Sequence, residues 1–138
     1  MKPGAKAFIQ HRTTGKYLFV LRDNKPTIPS PNKWSLVGGG IEEGEEPGEA
    51  LKREAEEEVG IKLYDLCLLS KINVVQWIGE KSYNSVIFVY NAFTYDDIKY
   101  LTEGQKAEWM SLDEIIKKEI VKKEAIIVSQ QRKQCTMK

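Results

Sequence analysis

The chain has one histidine, His11, and only two cysteines, Cys67 and Cys135, among its 138 residues. A single imidazole makes a histidine-based zinc site or a Ser-His-Asp nucleophile a poor basis for its chemistry. Two thiols so far apart build neither a disulfide framework nor a CxxC metal knuckle, and a reducing, cytoplasmic setting is expected. No apolar run approaches the ~18 residues that a membrane-spanning helix needs, so no membrane association is expected. No signal-type pattern precedes the first strand-like stretch. The formal net charge is only +1, which lacks the basic excess of a nucleic-acid coat, so no nucleic-acid partner is expected.

That near-neutrality hides a segregation of charge. Residues 1–34 carry seven Lys/Arg against one acid, and residues 42–58 carry nine acids against two bases. The length suits one domain, 1–138, with a core that needs no staples.

Ala5–Gln10 and Lys16–Arg22 read as short strands joined by a turn at His11–Gly15. Asp23–Lys33 holds three prolines and reads as a loop. Trp34–Val37 is apolar and runs into Gly38–Gly40, three glycines that let the backbone turn tightly and approach a ligand closely. Pro47 suits the first turn of a helix that ends near Val59, with Gly60 as its C′ residue. Ile61–Ile78 and Ser82–Phe93 read as long strands around a turn at Gly79–Lys81, and Glu108–Met110 as a short one. Ser111 caps a helix starting at Leu112. A last helix spans Val121–Gln131 with Val121, Ala125, Ile126 and Val128 on one side, and a frayed tail follows at Arg132–Lys138. The class is α/β (α+β) with a mixed sheet.

In the helix Pro47–Val59, Leu51, Ala55 and Val59 form the buried stripe and Glu56 points to water. Glu54, Glu57 and Glu58 fall at i, i+3 and i+4 and share an edge. Local physics opposes this twice. Like charges at that spacing repel, and acids in the last turns meet the negative end of the helix dipole. A divalent cation would reverse both penalties, and an all-oxygen ligand set suits Mg²⁺ or Mn²⁺ rather than zinc. The competing reading is a solvated acidic face neutralised by Lys52, Arg53 or Lys62.

The stretch 39–61 favours the first reading. It reads Gly39, five residues, Glu45, seven residues, then Arg53-Glu54-Ala55-Glu56-Glu57-Glu58-Val59-Gly60-Ile61. This resembles the complete box of the Nudix hydrolase family, with every fixed residue present and Ala55 and Ile61 in the apolar slots. The resemblance implies an α/β/α sandwich with a mixed sheet. It also implies divalent-metal-dependent hydrolysis of a phosphoanhydride in a nucleoside diphosphate linked to another group. By that resemblance Glu57 and Glu58 are the main metal ligands, and Glu54 is a further ligand or the base that activates water. The Gly38 carbonyl is a backbone ligand, and Arg53 orients the carboxylates, paired with Glu45. Gly39, Glu45 and Gly60 are structural members of the motif.

Downstream, Glu103-Gly104-Gln105 and Glu108–Leu112 resemble a segment of MutT-type nucleoside triphosphate pyrophosphohydrolases, in which a loop glutamate reaches the metal site; Glu103 takes that place. Where many members read Phe-Pro-Gly-Gly before the box, this chain reads Leu36-Val37-Gly38-Gly39. Cations for the phosphates come from Arg12, Arg22, Lys25 and Lys33, with Arg22 and Lys33 as the substrate-binding candidates. Phe19, Trp34, Trp77, Tyr83 and Tyr90 are the candidates for stacking on a base. The substrate expected is a nucleoside triphosphate, cleaved to monophosphate and pyrophosphate. Nucleotide sugars or ADP-ribose, or a ligand-sensing module without catalysis, are the alternatives. The sequence does not fix the oligomeric state.

Overall fold

The computed structural model describes residues 2–136. Seven strands and three helices follow one another as β1 (Gly4–His11), β2 (Tyr17–Leu21), β3 (Trp34–Ser35), β4 (Val37–Gly40), α1 (Pro47–Val59), β5 (Tyr64–Ile78), β6 (Lys81–Thr94), β7 (Lys106–Met110), α2 (Leu112–Ile115) and α3 (Lys122–Thr136). The main sheet runs β3-β2-β1-β6-β5, with β4 paired to β1 and β7 paired to β2. It is mixed, because β1 lies parallel to β6 while the other ladders are antiparallel. A parallel neighbour eighty residues away leaves no local signature, and sequence periodicity could not pair these two strands.

Strand alternation divides the core into two layers. Ala5, Ala7 and Ile9 of β1 face α1, and pack with Leu51, Ala55 and Val59. Phe8 faces the other way, towards Leu112 and Ile115 of α2 and Ile127 and Val128 of α3. Helices therefore cover both faces, giving the α/β/α sandwich. The α1 stripe is fully buried at Leu51, Ala55 and Val59, and burying Leu51 alone contributes about 2 kcal/mol. Glu56 is exposed, as its place on the helix requires.

Three readings are corrected. Gly38–Gly40 do not make a turn; they form extended strand β4 beside β1. The buried side of the last helix is Glu124, Ile127, Val128 and Gln131, with Val121 just before it, whereas Ile126 is 68% exposed. The apolar residues of 121–128 alone suggest a different face because two of the buried positions are polar. The helix also continues to Thr136 rather than fraying at Arg132, whose Nε donates to Asp113 Oδ1 at 2.6 Å; Met137 and Lys138 lie outside the described residues. The Ser111 cap forms as expected, with Glu114 closing a reciprocal capping box. Among the described residues no helix is long and apolar enough to cross a membrane.

Candidate active site

The end of α1 is fastened by a segment forty residues downstream. A helix leaves its last four carbonyls without internal partners. Gly60 adopts the left-handed conformation and returns its N–H to the helix. Beyond that, Tyr100 Oη donates to Glu56 O at 2.6 Å, Thr102 N–H to Glu58 O at 3.0 Å, and Lys99 N–H to Val59 O at 3.0 Å. This strap delivers the next residue, Glu103, to the acidic edge of α1. Removing the phenol hydroxyl with Tyr100→Phe is expected to cost about 0.5 kcal/mol, read as a small drop in the urea midpoint.

A cavity of about 600 Å³ opens there, lined by the acids Asp23, Glu54, Glu58 and Glu103, by Lys6, Arg22 and Lys25, and by Gly38–Gly40. Close approach requires glycine at position 38 and crowds position 39. A Cβ on Gly38, at φ 151°, would collide with the Ala5 backbone, and one on Gly39 would stand 2.5 Å from the Glu54 carboxyl carbon. β4 can therefore run directly along the acidic edge of the helix.

Arg53 organises the carboxylates. Its Nε and Nη2 grip Glu45 through a two-pronged contact at 2.8 and 3.0 Å, and Nη2 also donates to Gly40 O at 3.0 Å. Nη1 donates to Glu54 at 2.9 Å and to Glu57 at 3.2 Å. The guanidinium hydrogen bonds hold the Glu45 carboxyl down at about 2, and the same partners push the Arg53 pKa upwards. Arg53 thus pairs with Glu45, as the motif implies, and also makes an i,i+4 bridge to Glu57.

Glu58 sits in a different environment. Burial pushes its carboxyl up to about 8; the neighbouring Glu54 and Glu103 carboxylates add to the shift and Lys6 opposes it. In its protonated form Glu58 hydrogen-bonds Glu54. Two carboxylates held this close, with a third within electrostatic reach, need either a proton or a cation between them. The donor set is entirely oxygen, which fits a hard divalent ion. Among the described residues no three acidic, imidazole or thiol groups are gathered tightly enough to wrap one ion. On the helix side, the Glu57 side chain is 60% exposed and is bonded to Arg53 Nη1.

Four acids thus line the cavity, Asp23, Glu54, Glu58 and Glu103, with Glu57 outside its lining. Arg22 and Lys25 line the cavity. Arg12 instead binds Asp65 at 2.6 Å and stacks on Phe93, and Lys33 pairs with Glu119 at 3.3 Å. None of the five aromatic candidates lines the cavity. Phe19 and Trp34 are buried in the α3-side layer, Tyr90 packs on the α1-side layer, and Trp77 and Tyr83 are exposed on the β5–β6 hairpin.

Sequence reasoning missed Lys6. It lies on β1, and only the alternation of that strand against β4 could have aimed it at the site. It also missed Lys123, whose ammonium is held down to about 8 by burial and by repulsion from Lys6 and Arg22.

The family model of the NUDIX domain matches residues 2–131. The chain belongs to this family. Among curated NUDIX relatives, diphosphoinositol polyphosphate phosphohydrolase 3-beta of Bos taurus is 34% identical over 87 residues, covering 63% of this chain and 52% of that protein. The nucleoside triphosphatase NudI of Salmonella agona is 46% identical over 50 residues, covering 36% of this chain and 34% of that one. The chain thus spans about half the length, or less, of these relatives. Among solved structures, a MutT protein of Methanosarcina mazei superposes with a TM-score of 0.74 at 23% identity, covering 99% of this chain and 98% of the other. The NUDIX domain of Shewanella oneidensis NrtR, solved with ADP-ribose, superposes with a TM-score of 0.77 at 18% identity, covering 98% and 88%. The fold is therefore that of MutT-like NUDIX proteins.

Proposed function

We propose that the chain hydrolyses a nucleoside triphosphate to the monophosphate and pyrophosphate in a divalent-metal-dependent reaction at the α1–β4 cavity. The observation that carries this reading is the meeting of carboxylates and cations in one cavity: Asp23, Glu54, Glu58 and Glu103 line it together with Lys6, Arg22 and Lys25. Glu54, Glu57, Glu58, Glu103 and the Gly38 carbonyl would hold Mg²⁺ or Mn²⁺. When bound, such an ion neutralises phosphate oxygens and lowers the pKa of the attacking water.

The protein's own residues do the rest. Arg53 fixes the direction of Glu54 and Glu57 through its Nη1 hydrogen bonds. One glutamate of the set takes the proton from water. Lys6, Arg22 and Lys25 bind the phosphate oxygens that lie away from the acids and hold the chain in line for attack. The departing pyrophosphate carries its charge towards those cations.

A second substrate class is favoured by the same cations. Four curated relatives are named for diphosphoinositol polyphosphates, and Lys6, Arg22 and Lys25 would suit a densely phosphorylated ring equally well. A panel of nucleoside triphosphates, ADP-ribose, a nucleotide sugar and a diphosphoinositol phosphate, each with Mg²⁺ or Mn²⁺, separates the readings by product. Pyrophosphate release from triphosphates, abolished by EDTA, is expected. Orthophosphate release confined to the diphosphoinositol compound would transfer the assignment to that class. Tight ADP-ribose binding with no turnover of any member would make the chain a ligand sensor.

A further inference from the structure

Glu124 is a buried acid that the reaction above does not use. It lies in the first turn of α3, 3% exposed, on the opposite layer from the acidic helix. Its surroundings are specific. The chain changes partners at Leu36: Trp34–Ser35 pair with β2, and Val37–Gly40 pair with β1. At this junction the Leu36 N–H leaves the sheet and donates to Glu124 Oε1 at 2.6 Å. The Ser35 hydroxyl shares its proton between Glu124 Oε2 at 3.2 Å and Leu36 O at 2.9 Å. From the cavity side Lys6 Nζ donates to Leu36 O at 3.3 Å. Leu36 is thus held at both its polar atoms by side chains rather than by strands.

The position of Leu36 matters because Gly38 is two residues on. β4 has little freedom there, with Gly38 against the Ala5 backbone and Gly39 against the Glu54 carboxyl. A shift at Leu36 would carry the Gly38 carbonyl with it. The chain also lacks the rigid proline that the family often places at position 37, where it has valine.

We infer that Glu124 is a positioning residue, which pins the β3–β4 junction and so sets the Gly38 carbonyl and the β4 edge, whose Gly39 lies against the Glu54 carboxyl. This rests on the proposed reading in which that carbonyl is a metal ligand. The working part is the hydrogen-bond acceptor at Oε1 and its reach. The negative charge is secondary, because a glutamine can accept from Leu36 N–H while its amide donates to the Ser35 hydroxyl, which turns its own proton to Leu36 O.

Titration with Mn²⁺ alone, followed by electron paramagnetic resonance on the full chain, tests this. Partners that orient a ligand typically change metal affinity by tens of fold, so Glu124→Asp and Glu124→Ala should each weaken Mn²⁺ binding about tenfold, and Glu124→Gln should stay within about twofold of wild type. A role confined to holding the fold would lower the melting temperature of the variants and leave their Mn²⁺ affinity unchanged. The aspartate variant keeps the charge and loses only reach, so it answers the question if the alanine variant does not fold. Wild-type Mn²⁺ affinity in folded Glu124→Asp overturns the inference, and so does a tenfold loss in Glu124→Gln. Absence of Mn²⁺ binding by the unmutated chain overturns the metal reading itself and this inference with it, and is told apart because no substitution is involved.

Discussion

Glu58→Gln is expected to lower phosphoanhydride turnover about 10³-fold, since a metal site supplies several kcal/mol of transition-state stabilisation, and to raise the melting temperature of the metal-free protein. The two effects have one cause. Without an ion, Glu58 is buried beside Glu54 and its carboxyl is pushed up from 4.5 to about 8. A group whose folded pKa is raised contributes stability that is complete below its unfolded pKa and is lost as the pH climbs through the folded one. The metal-free protein should therefore lose stability, relative to Glu58→Gln, between pH 4.5 and about 8. Thermal melts in EDTA across that range read the difference directly. Added Mg²⁺ should restore the wild type above pH 7 and leave the glutamine variant unmoved. Equal pH profiles for the two proteins in EDTA would show that Glu58 is not the strained carboxyl.

Arg53→Ala should cost about 10²-fold in turnover, the scale associated with misplacing a catalytic group by an ångström, and should lower the melting temperature as well. One guanidinium holds Glu45, Glu54, Glu57 and the Gly40 carbonyl. Its loss frees three carboxylates next to one another. Lysine should not rescue, because a single ammonium cannot span the two Glu45 contacts and reach across to Glu54. The pH dependence here has the opposite sign to that of Glu58. Glu45 is held at about 2 by Arg53, so the advantage of wild type over the alanine variant is present above pH 4.5 and narrows as the pH falls towards 2. Acid titrations of both proteins, followed by circular dichroism, check the sign. Rates from the nucleotide panel check the magnitude.

The acidic helix was legible from sequence because all of its determinants are local. Pro47 and Gly60 mark its ends, the Leu51-Ala55-Val59 stripe sets its buried face, and the motif spacing fixes which acids share an edge. What the linear pattern could not show is where each side chain turns once its neighbours are in place. Glu57 and Glu58 are adjacent in sequence and look equivalent there. In the fold, Glu57 is exposed and bonded to Arg53 while the sheet buries Glu58. The cations show the same limit: of the four candidates in the basic stretch and loop, Arg22 and Lys25 reach the cavity, whereas Arg12 and Lys33 find acids of their own elsewhere. Lys6 stood in the same stretch without any signal, since its direction depends on a strand pairing formed thirty residues later. The last helix misled for a related reason. Its buried side includes Glu124 and Gln131, and an apolar stripe cannot reveal a face that is partly polar.

The strap from Lys99 to Thr102 has a consequence for the order in which the molecule can assemble. A nascent chain that has emerged from the ribosome as far as residue 95 contains the whole motif, yet its acidic helix would lack the caps from Lys99, Tyr100 and Thr102, and Glu103 would still be inside the exit tunnel. Glu124 follows later still. The signature segment is therefore complete long before it is competent, and transplanting those twenty-odd residues into a foreign scaffold would carry the acids without the parts that aim them.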